Sequence, residues 1–198
     1  MSSAALACEL KIQDLAFVYF DTHDDLDSPE VNENGYFDAM GLSMLCGESW
    51  AYMMSTVPGY QAHKYDCFLY CGLRDQTSVQ HQRVIDAGMT SIWGETSHKV
   101  NFAGELQRHL QQKSYSPALV HLDLDVLDEF YGKVNDYPSP GGIFESELIE
   151  CMKIVPKYSK PTSLTVCSFD PDSDDGDKIA KIAMRAIVTF FESVMSNE

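Results

Sequence analysis

Short apolar runs alternate along the chain with longer segments in which apolar side chains recur every three or four residues. Runs at 15–20, 66–71, 90–93, 118–124 and 163–169 are almost continuously apolar or β-branched, which predicts strands of a parallel sheet buried on both faces. Helical spacing predicts helices over 2–11, 38–55, 78–87, 101–113, 144–158 and 178–196. In the last of these, Ile179, Ile182, Ala183, Ala186, Ile187 and Phe190 make one stripe suited to core packing, and in the second, Trp50, Tyr52 and Met53 are expected to point inward. A strand–helix rhythm of this kind predicts an α/β domain. The connections at 26–37, 94–99 and 125–143 are long, and the last, with Pro138-Ser139-Pro140-Gly141-Gly142, exceeds a plain strand-to-helix turn. Loops of that length often carry function.

With 198 residues and 44% hydrophobic content, the chain can bury one substantial core, so residues 1–198 are expected to form a single domain. Thirty acidic against 14 basic side chains leave a formal charge of −16, which argues against a nucleic-acid partner and against an anionic membrane surface. Carboxylates crowd into 21–30 and 170–177, and such density demands solvation or a neutralising cation. The six cysteines, at 8, 46, 67, 71, 151 and 167, lack paired zinc-type spacing and read as reduced core residues. No run approaches the roughly 18 apolar residues of a membrane span, and no basic leader precedes the first apolar stretch, so a cytoplasmic location is expected.

The chemistry concentrates where two of the apolar runs end. Asp21, His23 and Asp25 follow the first run at alternate positions, as do Asp123 and Asp125 after the fourth, so each set can face one way from an extended segment. Parallel sheets bind ligands at the carboxyl ends of their strands. Carboxylates with one imidazole make a hard donor set that suits Mn²⁺ first, with Fe²⁺ or Mg²⁺ as alternatives. His121 lies two residues before Asp123 on the same strand face but is expected to sit deeper than the strand end. His63, His81, His98 and His109 are expected at the surface, and Asp128, Tyr131 and Tyr137 in the loop over the site.

These segments resemble those of the ureohydrolases, the family of arginase, agmatinase and formimidoylglutamase. Phe20-Asp21-Thr22-His23-Asp24-Asp25 is similar to the family's D-A-H-x-D segment and Gly72-Leu73-Arg74-Asp75 to its G-x-R segment. His121-Leu122-Asp123-Leu124-Asp125-Val126-Leu127-Asp128 is similar to its S-F-D-x-D-x-x-D-P segment, and Gly141-Gly142 and Phe169-Asp170-Pro171 match too. The similarity runs from about residue 16 to residue 191. It implies a three-layer α/β/α arginase-like fold with a reduced, mainly parallel sheet of about five strands. It also implies two Mn²⁺ ions bridged by Asp21, Asp123 and a hydroxide, with His23 and Asp125 completing one shell and Asp25 serving the other. The hydroxide would attack a guanidinium or amidine carbon.

The departures are equally specific. The family's additional N-terminal segment ends in a histidine ligand of the Asp25-side ion, which would fall just ahead of Met1, so that ion is expected to bind weakly. Without that segment the strand 163–169 becomes a sheet edge, and an apolar unpaired strand invites a homo-oligomeric contact. Asp38 stands where the family has a proton-shuttling histidine, and Ser168 where it has a glutamate that grips the substrate cation. Asp38 and Ser168 are therefore the candidate catalytic positions: the carboxylate can act as base or ligand, whereas the hydroxyl cannot pair ionically with a planar cation. Asp27, Asn34, Thr77 and Gln80 occupy the positions that hold the amino-acid end of arginine, so arginine hydrolysis is not expected. The expected function is a divergent metal-dependent enzyme acting on a small-molecule C–N substrate. The alternative is a non-catalytic paralogue serving as a binding or partner subunit. Retention of all five ligand-type residues favours the enzyme.

Overall fold

The computed structural model describes residues 8, 11, 12 and 15–197, and the helix expected over 2–11 lies almost wholly outside the described residues. Five strands, β1 (Ala16–Phe20), β2 (Phe68–Leu73), β3 (Thr90–Trp93), β4 (Ala118–Asp123) and β5 (Pro161–Cys167), form one parallel sheet in the order β3-β2-β1-β4-β5. The chain winds outward from β1 to β3, then crosses to β4 and β5 on the other side. The winding direction therefore reverses between β1 and β4, where a crevice opens beyond the strand ends.

Six helices among the described residues cover the sheet: α1 (Gly41–Leu45), α2 (Ala51–Met54), α3 (Ser78–Asp86), α4 (Phe102–Gln112), α5 (Glu145–Tyr158) and α6 (Lys178–Ser196). Strand side chains alternate between faces, so Val18, Phe20, Cys71, Val120 and Leu122 pack beneath α4, α5 and α6. Phe17, Tyr19, Phe68, Tyr70 and Leu119 pack beneath α1, α2 and α3 on the opposite face. The architecture is thus three layers, α/β/α, as expected. Among the described residues β5 pairs only with β4 and forms one edge of the sheet. No described helix is long and apolar enough to cross a membrane.

The helix expected over 38–55 is corrected. It is a 3-10 turn at Asp38–Met40 followed by α1 and α2, interrupted where Gly47 (φ +79°) and Trp50 (φ +51°) take left-handed conformations. Ser43 stabilises the interruption: its hydroxyl lies 2.6 Å from that of Ser49, and its carbonyl accepts from Glu48 N at 2.9 Å. A single turn of helix cannot bury residues on several sides, so Trp50, Tyr52 and Met53 stand exposed, Tyr52 at 88%, and only Met54 of α2 is buried. β2 starts later than expected, after a 3-10 turn at Tyr65–Cys67, and runs on through Gly72. Gly72 has φ +110°, and a Cβ there would lie 2.4 Å from Val126 Cγ2, so the sheet and the loop 125–143 meet only because this residue has no side chain.

Arg74 fastens that loop. Its guanidinium donates to the carbonyls of Gly72, Asp125, Val126, Leu127 and Ser139 at 3.0–3.2 Å. Asp128 closes the loop from within, accepting from Gly141 N at 2.8 Å and Gly142 N at 3.0 Å. The acidic stretch 170–177 forms turns, and Asp174 caps α6 by accepting from Ile179 N and Ala180 N, both at 2.9 Å.

Candidate metal centre

β1 and β4 are paired with Phe20 opposite Leu122, so the next residues along, Asp21 and Asp123, leave the sheet side by side at the crevice. Each then folds its own loop in the same way: Asp21 Oδ1 accepts from His23 N at 2.7 Å and Asp123 Oδ1 from Asp125 N at 3.0 Å. Thr22 ties the two turns together, its hydroxyl donating to Asp125 O at 2.7 Å and its N–H to Asp125 Oδ1 at 3.4 Å. The spacing of one residue between ligands thus becomes a constellation. His23 Nδ1 lies 3.5 Å from Asp21 Oδ1 and 3.3 Å from Asp125 Oδ2, and Asn135 Nδ2 donates to Asp125 Oδ2 at 3.0 Å.

Asp21, His23 and Asp125 each offer a ligand atom within 4.8 Å of the other two, and so, separately, do His121, Asp123 and Cys167. Asp25 borders the same cavity with φ +51°, and its Oδ2 accepts from the Tyr19 hydroxyl at 2.7 Å. Tyr19 in turn stacks on His121, with ring centroids 4.0 Å apart and planes 4° from parallel. His121 stands below the strand end, as expected, yet its Nε2 lies 3.7 Å from Asp21 Oδ2, so its depth does not keep it out of the site. Pairing across β1 and β4 sets His121 beside Tyr19, only two residues before Asp21.

Asp21, Asp123 and Asp125 are buried, Asp21 to 1% exposure, and buried carboxylates are costly unless paired or bound to a cation. Burial, and then repulsion from Asp21 and Asp125, pushes the Asp123 carboxyl up to about 9. Burial works against a charged His23, yet hydrogen bonds and charge from Asp125 and Asp21 prevail and carry it up to about 11. Burial foremost, with Asp21 beside it, holds the Asp25 carboxyl well above the usual carboxylate range. One imidazolium cannot balance this set of acids. The chemistry of the donors, hard oxygens with an imidazole, therefore fits a divalent cation.

The constellation forms the floor of a cavity of about 640 Å³ whose described lining residues include nine aspartates, at 21, 24, 25, 27, 38, 75, 123, 125 and 170, and no lysine or arginine. All five sequence-expected ligand residues border it. Asp38 stands on the exposed wall, its carboxylate accepting from Ala39 N at 3.0 Å. Ser168, just past β5 with φ +57°, donates its hydroxyl to Asp123 Oδ2. Tyr137 reaches the cavity, whereas Asp128 is spent on the loop and Tyr131 accepts from Glu145 N. Asp27 accepts from Gln80 Nε2 at 3.1 Å, and Gln80 with Thr77 caps α3. Sequence reasoning missed Tyr19, Asn135 and Gln76, whose side-chain amide donates to Asp24 at the cavity wall, and read Cys167 as a core residue.

A model of the arginase family matches residues 2–192. The N(omega)-hydroxy-L-arginine amidinohydrolase of Streptomyces lavendulae is 27% identical over 147 residues, 72% of this chain and 47% of that protein. Among solved structures, arginase from Bacillus caldovelox superposes with a TM-score of 0.79 at 20% identity, covering 96% of this chain and 64% of that one. Formimidoylglutamase from Bacillus subtilis superposes at 0.78 and 15% identity, covering 98% and 57%. The chain spans 47% to 59% of the length of the curated relatives it matches.

Proposed function

Because the chain belongs to the arginase family, we propose that it is a divergent, metal-dependent ureohydrolase-like enzyme cleaving a C–N bond in a small cationic molecule. The observation that carries this reading is the convergence of Asp21, His23 and Asp125 within 4.8 Å on the floor of a cavity walled by aspartates. These three would hold one ion, with Mn²⁺ the first choice for such donors and Fe²⁺ or Mg²⁺ behind it, while Asp25 and Asp123 would serve a second. A bound ion supplies Lewis acidity and a nucleophilic water at neutral pH.

The chain's own residues would do the rest. Ser168 fixes the plane of the Asp123 carboxylate through its hydrogen bond. Asp38, free on the wall apart from its backbone contact, would take up a proton. Asp27 and Asp75 would attract an amine or guanidinium, whereas a substrate α-carboxylate would meet no lysine or arginine among the described lining residues. An amine-ended guanidine or amidine therefore suits the cavity better than arginine does. Among the described residues β5 is an edge strand, and that edge would carry a homo-oligomeric contact, which sedimentation over a range of protein concentrations would test.

The test of function is metal content together with turnover. Purified protein is expected to retain a divalent transition metal and to release urea or ammonia from a small guanidine or amidine. Asp123→Ala should lose both, and a native protein without metal would end the reading. One observation favours the second reading, a non-catalytic paralogue: the position of a substrate-gripping carboxylate is held by Ser168, whose hydroxyl is turned to Asp123. Bound metal without turnover across a substrate panel would select it.

A further inference from the structure

Cys167 has no role in the reading above, yet it does not lie in the core. Asp123 and Cys167 are register partners across β4 and β5, which sets the thiol beside the carboxylate. His121 lies on the same face of β4 two residues earlier. Cys167 Sγ is 3.3 Å from His121 Nε2 and 3.6 Å from Asp123 Oδ2, and His121 Nε2 is 3.7 Å from Asp21 Oδ2. The Tyr19 ring fixes the imidazole plane by stacking, so the edge bearing Nε2 faces thiol and carboxylate together.

We propose that the second ion is held not between Asp25 and Asp123 but by His121, Asp123 and Cys167, with Oδ2 of Asp21, in a position of imidazole–carboxylate–thiolate character that selects zinc or cobalt over manganese. This deepens the metal-centre reading and rests on it. A tetrahedral ion with bonds of about 2.3 Å to sulfur and 2.0–2.1 Å to nitrogen and oxygen separates its ligands by about 3.4–3.6 Å. The observed separations of 3.3, 3.6 and 3.7 Å therefore need only side-chain adjustments of a few tenths of an ångström. A thiolate donor shifts preference toward softer ions, whereas the neighbouring Asp21–His23–Asp125 set is wholly hard or intermediate. On binding, the thiol proton leaves to solvent. A thiol–imidazole nucleophile fits the geometry less well, because such a pair needs a carboxylate behind the far ring nitrogen, and here Asp21 faces the same Nε2 as the thiol does.

The test uses the whole chain, stripped with a chelator and reloaded with Co²⁺. Two ions per chain are expected, with a near-ultraviolet sulfur-to-cobalt charge-transfer band. Cys167→Ser should lose the band and one ion, while Asp125→Asn should lose the other ion and keep the band. Should Cys167→Ser fold poorly, alkylation of wild-type protein mapped by mass spectrometry gives the same answer, since loading with Co²⁺ or Zn²⁺ should protect Cys167. No band and an unprotected Cys167, with either one ion or two bound, would overturn this proposal while leaving the metal-centre reading intact. No bound ion at all would overturn both.

Discussion

Among the described residues, helices of 11, 14 and 19 residues cover one face of the sheet, whereas the other face carries helices of five, four and nine. On the long-helix face, apolar stripes meet the strands without interruption, and Leu106, Leu148, Cys151, Val155, Ala186 and Phe190 are essentially inaccessible. On the other face the chain turns repeatedly, and the turns carry Asp24, Asp25, Asp27, Asp38 and Gln76 toward the strand ends. One face supplies the cohesion that lets the other spend its backbone on a cleft. Buried acids are tolerated at the ends of β1 and β4 because the middles of those strands are held from below.

The contrast is exposed most sharply by truncating equal bulk on each face. Phe190→Ala removes a fully buried ring from α6 and is expected to cost about 3–5 kcal/mol in denaturant unfolding. If the loss were no larger than that of a surface change, the long-helix face would not be the anchor. Arg74→Leu comes next: it withdraws the donors from five carbonyls and should cost about 2–3 kcal/mol while weakening metal retention, read by unfolding and metal analysis of the same sample.

Proton linkage gives a smaller effect confined to the cleft. Asp123, pushed up to about 9, and His23, carried up to about 11, both hold protons more tightly folded than unfolded, where they would titrate near 3.8 and 6.5. The folded chain therefore keeps protons that the unfolded chain releases, and metal-free stability should fall as pH rises from about 5 to 9. A melting temperature that drops a few degrees over that range, and flattens when a divalent cation is added, is the expected record. The smallest effect belongs to Trp50→Ala, about 0.5–1 kcal/mol, since the exposed ring packs edge-on against Phe37 and makes one weak hydrogen bond, from its indole N–H to Met40 Sδ at 3.3 Å.

The same contrast explains what could be read in advance. β1, β3, β4 and helices α3 to α6 were legible to within a residue or two because each buries a continuous stripe or run, and burial is what apolar periodicity reports. The stretch 38–55 has helical spacing too, but Gly47 and the Ser43–Ser49 contact break it, and no periodicity records a side chain bonding across a turn. The aspartates of the cleft were legible because their geometry is local, each first carboxylate bonding the N–H two residues on. Cys167 was not, because it reaches the cleft only through its pairing with Asp123, 44 residues earlier. His121 lay between these cases: its strand face and depth were visible, but its reach to Asp21 was set by the partner strand.

Asp21 presents one carboxylate oxygen toward His23 and the other toward His121. A carboxylate is planar, so it cannot turn one oxygen without turning its twin. Whatever engages the first histidine thereby sets the orientation offered to the second, and thermodynamic reciprocity requires the influence to run equally in reverse. Binding at one imidazole would therefore be linked to binding at the other through a single planar side chain.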